Sequence, residues 1–231
     1  VYTQRYARHA GEGRPVGLPD GLTSVVVVGQ AMDHDLVDTV PSALSSAAVG
    51  LGYSKDALVL LATAQWLRNL GYQAVPSLND TALAIPLAIQ AGLGEYGRHG
   101  LVITPEFGPR VRFGKIFTDA PLDHDAPVEF GVSAFCGVCR RCTDACPPKA
   151  IPDGEPSPVK LNRSAIGGVR KWSVDGEKCF SYWTQIVTDC MICMRVCPYN
   201  KDFSRWRHRV GRRLAATGLR RVMLRLNDRL G

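Results

Sequence analysis

All eight cysteines of this chain fall into two short clusters, and that spacing constrains it more than any other feature. The first cluster, Cys136, Cys139, Cys142 and Cys146 followed directly by Pro147, reads C-x2-C-x2-C-x3-C-P. The second is Cys179, Cys190, Cys193 and Cys197, with Pro198 after it. This is the bacterial-ferredoxin pattern for two 4Fe–4S clusters. The x2 steps let three thiolates of one loop reach three corners of a single cube. The fourth cysteine, before proline, starts a new element and points at the other cluster. The expected ligand sets therefore cross over: Cys136, Cys139 and Cys142 with Cys197, and Cys179, Cys190 and Cys193 with Cys146. Paired zinc sites accept C-x2-C steps but seldom use three cysteines at successive x2 spacings before C-P. A disulfide framework suits shorter secreted chains. The pattern points to electron transfer.

With 231 residues and 45% hydrophobic content, the chain can bury one or two cores. It starts at Val1, and the expectation is that a native N-terminus, with any export signal, precedes it. No uninterrupted apolar run approaches the roughly 18 residues that span a bilayer. The net charge of +7 is concentrated in residues 201–231, where ten Lys/Arg face Asp202 and Asp228. The preceding 200 residues are near neutral, so basicity belongs to one tail and does not by itself mark a nucleic-acid-binding protein. Leu214, Leu219, Val222, Met223 and Leu226 recur there at helical spacing between arginines, which predicts a docked helix with an arginine face. A membrane-surface or RNA contact is the other use of such a face.

Residues 25–28 read as a buried strand and 35–49 as a helix opened or kinked at Pro41. Ser54 is placed to cap a helix ending at Gly71, and 72–75 is a short strand. Asn79 or Asp80 caps a further helix to Ile89, kinked at Pro86. A glycine-rich run, 92–100, leads into strands at 101–104 and 112–118. Residues 121–127 form a linker by composition. The glycine run is not a dinucleotide fingerprint, because it follows a helix and precedes a strand. Close approach of backbone to a bulky cofactor is a better use for its glycines. The resulting organisation is an N-terminal extension (1–21), a folded domain (22–127), a two-cluster ferredoxin-like domain (128–204) and a basic C-terminal helix (205–231).

The segments Leu51-Gly-Tyr-Ser, Leu70-Gly-Tyr-Gln-Ala-Val-Pro, Ile85-Pro-Leu-Ala-Ile-Gln-Ala-Gly-Leu-Gly-Glu and Gly97-Arg-His-Gly-Leu-Val-Ile-Thr-Pro-Glu-Phe-Gly-Pro-Arg-Val-Arg resemble the corrinoid-dependent reductive dehalogenases. So do Thr118-Asp-Ala-Pro-Leu, the first cysteine motif, Cys179-Phe-Ser-Tyr-Trp and Cys197-Pro-Tyr-Asn-Lys. The likeness runs from about Val25 to Lys201 in one order. Members of that family are longer at the N-terminus, and some carry a twin-arginine signal, so the chain looks like their catalytic core. Localisation stays open between the cytoplasm and a membrane-associated state after export.

The resemblance implies an α+β fold: a nitroreductase-like corrinoid-binding domain followed by a ferredoxin-like domain with two 4Fe–4S clusters. It implies a base-off cobamide with no protein histidine on cobalt. The sequence agrees in lacking a D-x-H-x-x-G motif, since His34 and His124 follow an aspartate directly. Cobamide contacts are expected from Gly94, Tyr96, Gly97, Arg98, His99, Gly100, Thr104 and Arg110. Tyr53 matches the family's catalytic tyrosine. Lys115 matches the lysine that partners it in some members, and Asn79 and Arg112 match the polar residues flanking substrate in others. Reductive removal of a halogen consumes two electrons and one proton, and a cation beside a tyrosine stabilises the phenolate left after proton release.

The expected partners are a small organohalide and an electron donor, either a reduced ferredoxin or flavodoxin or a quinol-linked membrane protein, with a membrane anchor protein as a further candidate. Two other readings stay open. One is epoxyqueuosine reductase acting on tRNA, which the ten residues between Cys179 and Cys190 disfavour because that family has a longer insertion. The other is a non-catalytic electron-transfer subunit.

Overall fold

The computed structural model describes residues 17–79, 81–162 and 165–230, so most of the expected N-terminal extension lies outside the described residues. Strand β1 (Ser24–Ala31) runs antiparallel to β5 (Val111–Thr118) over its full length, from Ser24 opposite Thr118 to Ala31 opposite Val111. Strand β2 (Ala74–Ser77) pairs with the other edge of β5, from Ala74 opposite Thr118 to Ser77 opposite Lys115. The order β1-β5-β2 makes β5 central, and all its residues but Arg112 are buried. Pro76 is tolerated because β2 is an edge strand with no second neighbour to bond.

Helix α1 (His34–Asp38) ends before Pro41, and α2 (Ala43–Asn69) starts after it, so the single kinked helix expected over 35–49 is two helices. The capping residue of α2 is Ser42, whose side chain and that of Ser45 each accept a backbone N–H of the other. Ser54 caps nothing. It lies mid-helix, and its hydroxyl donates to the Gly50 carbonyl at 2.9 Å. The inward stripe Gly52, Asp56, Leu60, Ala64 and Leu67 lies on the sheet. Small residues let helix and strand approach closely: a Cβ on Gly52 would sit 3.3 Å from Arg112 Cγ, and one on Gly114 would sit 2.4 Å from Leu60 Cδ1. The outward face carries Leu44, Leu51, Leu58, Leu61 and Trp66, all more than half exposed. Among the described residues α2 is the one helix long and apolar enough, by length and composition, to cross a membrane. Here its inner face is laid against the sheet.

Beyond β2 come α3 (Ala84–Gln90) and the short hairpin β3 (Glu95–Tyr96) and β4 (Val102–Ile103). Leu83 flanks α3 without a side-chain cap, so Asn79 is not its N-cap. Residues 119–130 form no helix or strand, as the linker composition predicts. The cysteine-bearing half contains α4 (Val132–Val138), α5 (Arg141–Ala145), α6 (Gly176–Ile186) and α7 (Ile192–Arg195). The basic tail is two helices, α8 (Trp206–Ala215) and α9 (Arg220–Leu230), where one was expected.

The two halves share their cores. Ile103 packs with Val132, Phe135, Trp172, Tyr199, Phe203 and Ala215, while Met32, Val37 and Val49 pack with Met191 and Met194. Tyr199 meets Phe135 and Phe130 edge-on, with centroids 5.3 and 6.1 Å away.

Candidate active site and cysteine clusters

Tyr53 projects from α2 towards β5, where the Arg112 guanidinium lies 4.6 Å over its ring and donates from Nη1 to the phenol oxygen at 3.2 Å. Asn79 Nδ2 donates to the same oxygen. One turn along α2, Asp56 is 1% exposed, and its Oδ1 has no hydrogen-bond partner among the described residues. Burial raises its carboxyl to about 6, opposed by the charges of Lys115 and Arg112. Lys115 alternates with Arg112 across the pleat of β5, is fully buried, and donates to the Leu78 carbonyl. The Tyr53 hydroxyl thus accepts from Arg112 and Asn79, and the charge of Lys115 acts on Asp56.

Asn79 and Arg112 line a cavity of about 810 Å³ whose wall also carries Cys146, Cys179, Cys190 and Cys193. The cavity lies within the size range of cofactor and substrate pockets. Four buried side-chain atoms of its lining residues have no hydrogen-bond partner among the described residues: His99 Nε2, Arg112 Nε, Ser173 Oγ and Trp183 Nε1. His99 Nδ1 accepts the Leu101 N–H at 3.2 Å, which places the ring proton on Nε2 and makes that atom a donor. Burial lowers this histidine to about 4, so it is neutral. Such an apolar wall with orphaned donors fits a large ligand bearing polar substituents.

Tyr96 and Gly100 also line the cavity, whereas Gly94, Gly97, Arg98, Thr104 and Arg110 do not. Arg98, 2% exposed, donates to the carbonyls of Cys136, Pro152, Asp153 and Gly154 and stacks on Trp172 at 4.7 Å. Its fork is spent on tying the glycine-rich run to the cysteine half. Arg110 donates to Met32 and Lys201 carbonyls, and Thr104 closes a turn with Phe107 and Gly108. Gly94 packs its Cα against the Ile103 carbonyl, where a Cβ would come within 2.2 Å.

None of the eight cysteines is in a disulfide. Cys197 packs with Cys136 and Cys139 and feels the charges of Cys136, Cys139 and Cys142. Cys179 feels Cys190 and Cys146, and Cys193 feels Cys142, Cys190, Cys179 and Cys146. Chain order is thus crossed in space, with Cys142 adjoining both groups. Among the described residues no three His, Cys, Asp or Glu side chains converge on a single metal ion. A tetrahedral zinc site would need thiolates about 4 Å apart, and an iron–sulfur cube, holding each thiolate at its own iron, sets them wider. Burial pushes Cys136 up to about 12 and Cys142 to about 11, so a cationic centre is needed to hold them as thiolates.

Two family descriptions match the chain: a reductive dehalogenase subunit over residues 13–122 and a 4Fe-4S double cluster binding domain over residues 135–200. The tetrachloroethene reductive dehalogenase of Desulfitobacterium hafniense is 45% identical over 193 residues, covering 82% of this chain. The chain belongs to the reductive dehalogenase family. It spans 35% of the length of that relative. A solved reductive dehalogenase, described in connection with B12-dependent dehalogenation, superposes with a TM-score of 0.81 at 26% identity, covering 89% of this chain and 30% of its own. The epoxyqueuosine reductase of Lactococcus garvieae (strain Lg2) is 31% identical over 142 residues, covering 54% of this chain and 34% of its own length. The dehalogenase family thus matches more of the chain more closely.

Two residues of the site were missed in the sequence. Asp56 carried a signal, since it stands three residues after Tyr53 and shares its helix face. Ser173 carried none, because its place on the cavity wall depends on tertiary packing.

Proposed function

We propose that this chain forms the reductive core of a cobamide-dependent enzyme that replaces halogen by hydrogen in a small organohalide, R–X + 2 e⁻ + H⁺ → R–H + X⁻. The observation that carries the reading is a cavity lined by four thiols and by Asn79 and Arg112, the two residues that hold the Tyr53 hydroxyl. In this reading residues 22–127 are a nitroreductase-like corrinoid-binding domain and 128–204 a ferredoxin-like domain. Cys136, Cys139, Cys142 and Cys197 hold one 4Fe–4S cluster, and Cys146, Cys179, Cys190 and Cys193 hold the other. A bound cobamide supplies the low-potential metal chemistry that cleaves the carbon–halogen bond, with electrons arriving one at a time through the clusters. His99 Nε2 and Ser173 Oγ offer hydrogen bonds to its polar periphery. Because His99 carries its proton on Nε2, it would offer a bound cobamide a hydrogen-bond donor and not a metal ligand.

The proton comes from the Tyr53 hydroxyl. Arg112 holds the phenol by its oxygen and its ring face and stabilises the phenolate formed as the proton leaves. Asn79 fixes the direction of the O–H. Leu83, Ile85, Phe180 and Trp183 give the wall apolar surface for the organic part of the substrate. Tyr53→Phe keeps the ring and removes the donor. Halide release in the anaerobically assembled holoprotein should fall by roughly 10² or more, with iron and cobamide content unchanged. Full activity in that variant would move the donor role elsewhere.

A further inference from the structure

The two thiol groups differ in what lies outside them. Cys146, Cys179, Cys190 and Cys193 face the reaction cavity. Cys197, of the other group, instead lines an open pocket of about 580 Å³ between α5 and α7, together with Arg141, Asp144, Arg195 and Lys201. Lys201 feels the charges of Arg141 and Arg207, with Asp38 opposing them. Cations therefore outnumber carboxylates over Cys197, and the basic tail begins there. Trp206, 72% exposed between Arg205 and Arg207, adds the residue types that anchor protein interfaces.

We propose that this cationic surface over Cys197 docks an acidic protein that carries one electron at a time, a small iron–sulfur or flavin carrier. The proposal rests on the two-cluster reading above. In each encounter the reduced carrier loses one electron and the centre held by Cys136, Cys139, Cys142 and Cys197 gains it. Cys142 and Cys193 adjoin, so the path inward runs to the second thiol group and then to the cavity. Two encounters supply the two electrons of one turnover, and Tyr53 supplies the proton. Electron-transfer encounters of this kind use small, charge-steered interfaces. RNA is the weaker occupant, because Arg141, Arg195 and Lys201 are gathered at Cys197 and do not line the cavity where a modified base would have to react.

The test uses the full chain loaded with both clusters but without cobamide, so that its outcome does not depend on dehalogenation. A pre-reduced acidic ferredoxin is mixed with it anaerobically, and cluster reduction is followed by absorbance. The second-order rate should fall at least roughly tenfold between low and high salt. Arg207→Glu and Lys201→Glu should each lower it several-fold at low salt, with reduction by photoreduced 5-deazaflavin unchanged. A rate insensitive to salt and to both substitutions would overturn the proposal. So would tight binding of tRNA that is lost in the same variants, which would assign the surface to RNA. Normal docking without halide release from the cobamide-loaded protein would instead leave the surface standing and sink the proposed reaction.

Discussion

Asp56 stands one turn along α2 from Tyr53, within the influence of the cations of β5. It is buried against β5 between the influences of Lys115 and Arg112, and burial raises its carboxyl to about 6. Below that pH it is neutral, and the two cations favour the phenolate that remains after proton transfer. Above it the carboxylate offsets them. The turnover rate of the holoprotein should therefore decline as pH rises through about 6, and Asp56→Asn should remove that inflection. A profile with the inflection unchanged in the Asn variant would show that another group titrates there. Tyr53, Asn79 and Arg112 were legible through matched motifs, and the structure brings the three together. Lys115 was legible by the same route; it stands across the pleat from Arg112 and donates to the Leu78 carbonyl, a partner that no local pattern announces.

At the scale of elements, the contact between α2 and β5 sets the geometry of the site, since Tyr53 and Asp56 come from one and Arg112 and Lys115 from the other. Gly114 permits that contact: an added Cβ would lie 2.4 Å from Leu60 Cδ1 and 2.7 Å from Asp56 Oδ1. Gly114→Ala should cost about 1–3 kcal/mol and lower the anaerobic thermal midpoint by roughly 2–12 °C. An unchanged midpoint would mean that helix and strand separate freely. The extent of α2 was not readable from local pattern. Its outer face is as apolar as its inner one, so periodicity is blurred, and Ser54 offers a cap signal that the tertiary contact overrides. The glycine-rich run was readable as a place of close approach. Its partners were not, because Arg98 reaches carbonyls that lie far along the chain.

Across the whole molecule, the crossed cysteines knit the two ends of the cluster half together, and shared cores join that half to the sheet. Cysteine spacing made the clusters legible because thiolate reach is a local property of a loop. The cavity was not legible, since its wall draws on segments from Asn79 to Met194. Cys197→Ala should damage the cluster of Cys136, Cys139 and Cys142 on EPR and spare that of its neighbours Cys190 and Cys193. Loss confined to the second cluster would refute the crossed assignment. In the proposed reaction, electrons delivered through these clusters reduce an organohalide at the cavity beside Arg112 and Asn79. Its most direct test is the stoichiometry of anaerobic turnover in the cluster- and cobamide-loaded protein with a one-electron viologen donor. Two donor molecules should be oxidised and one halide released for each R–H formed. Donor oxidation without halide release, with both cofactors confirmed bound, would contradict it.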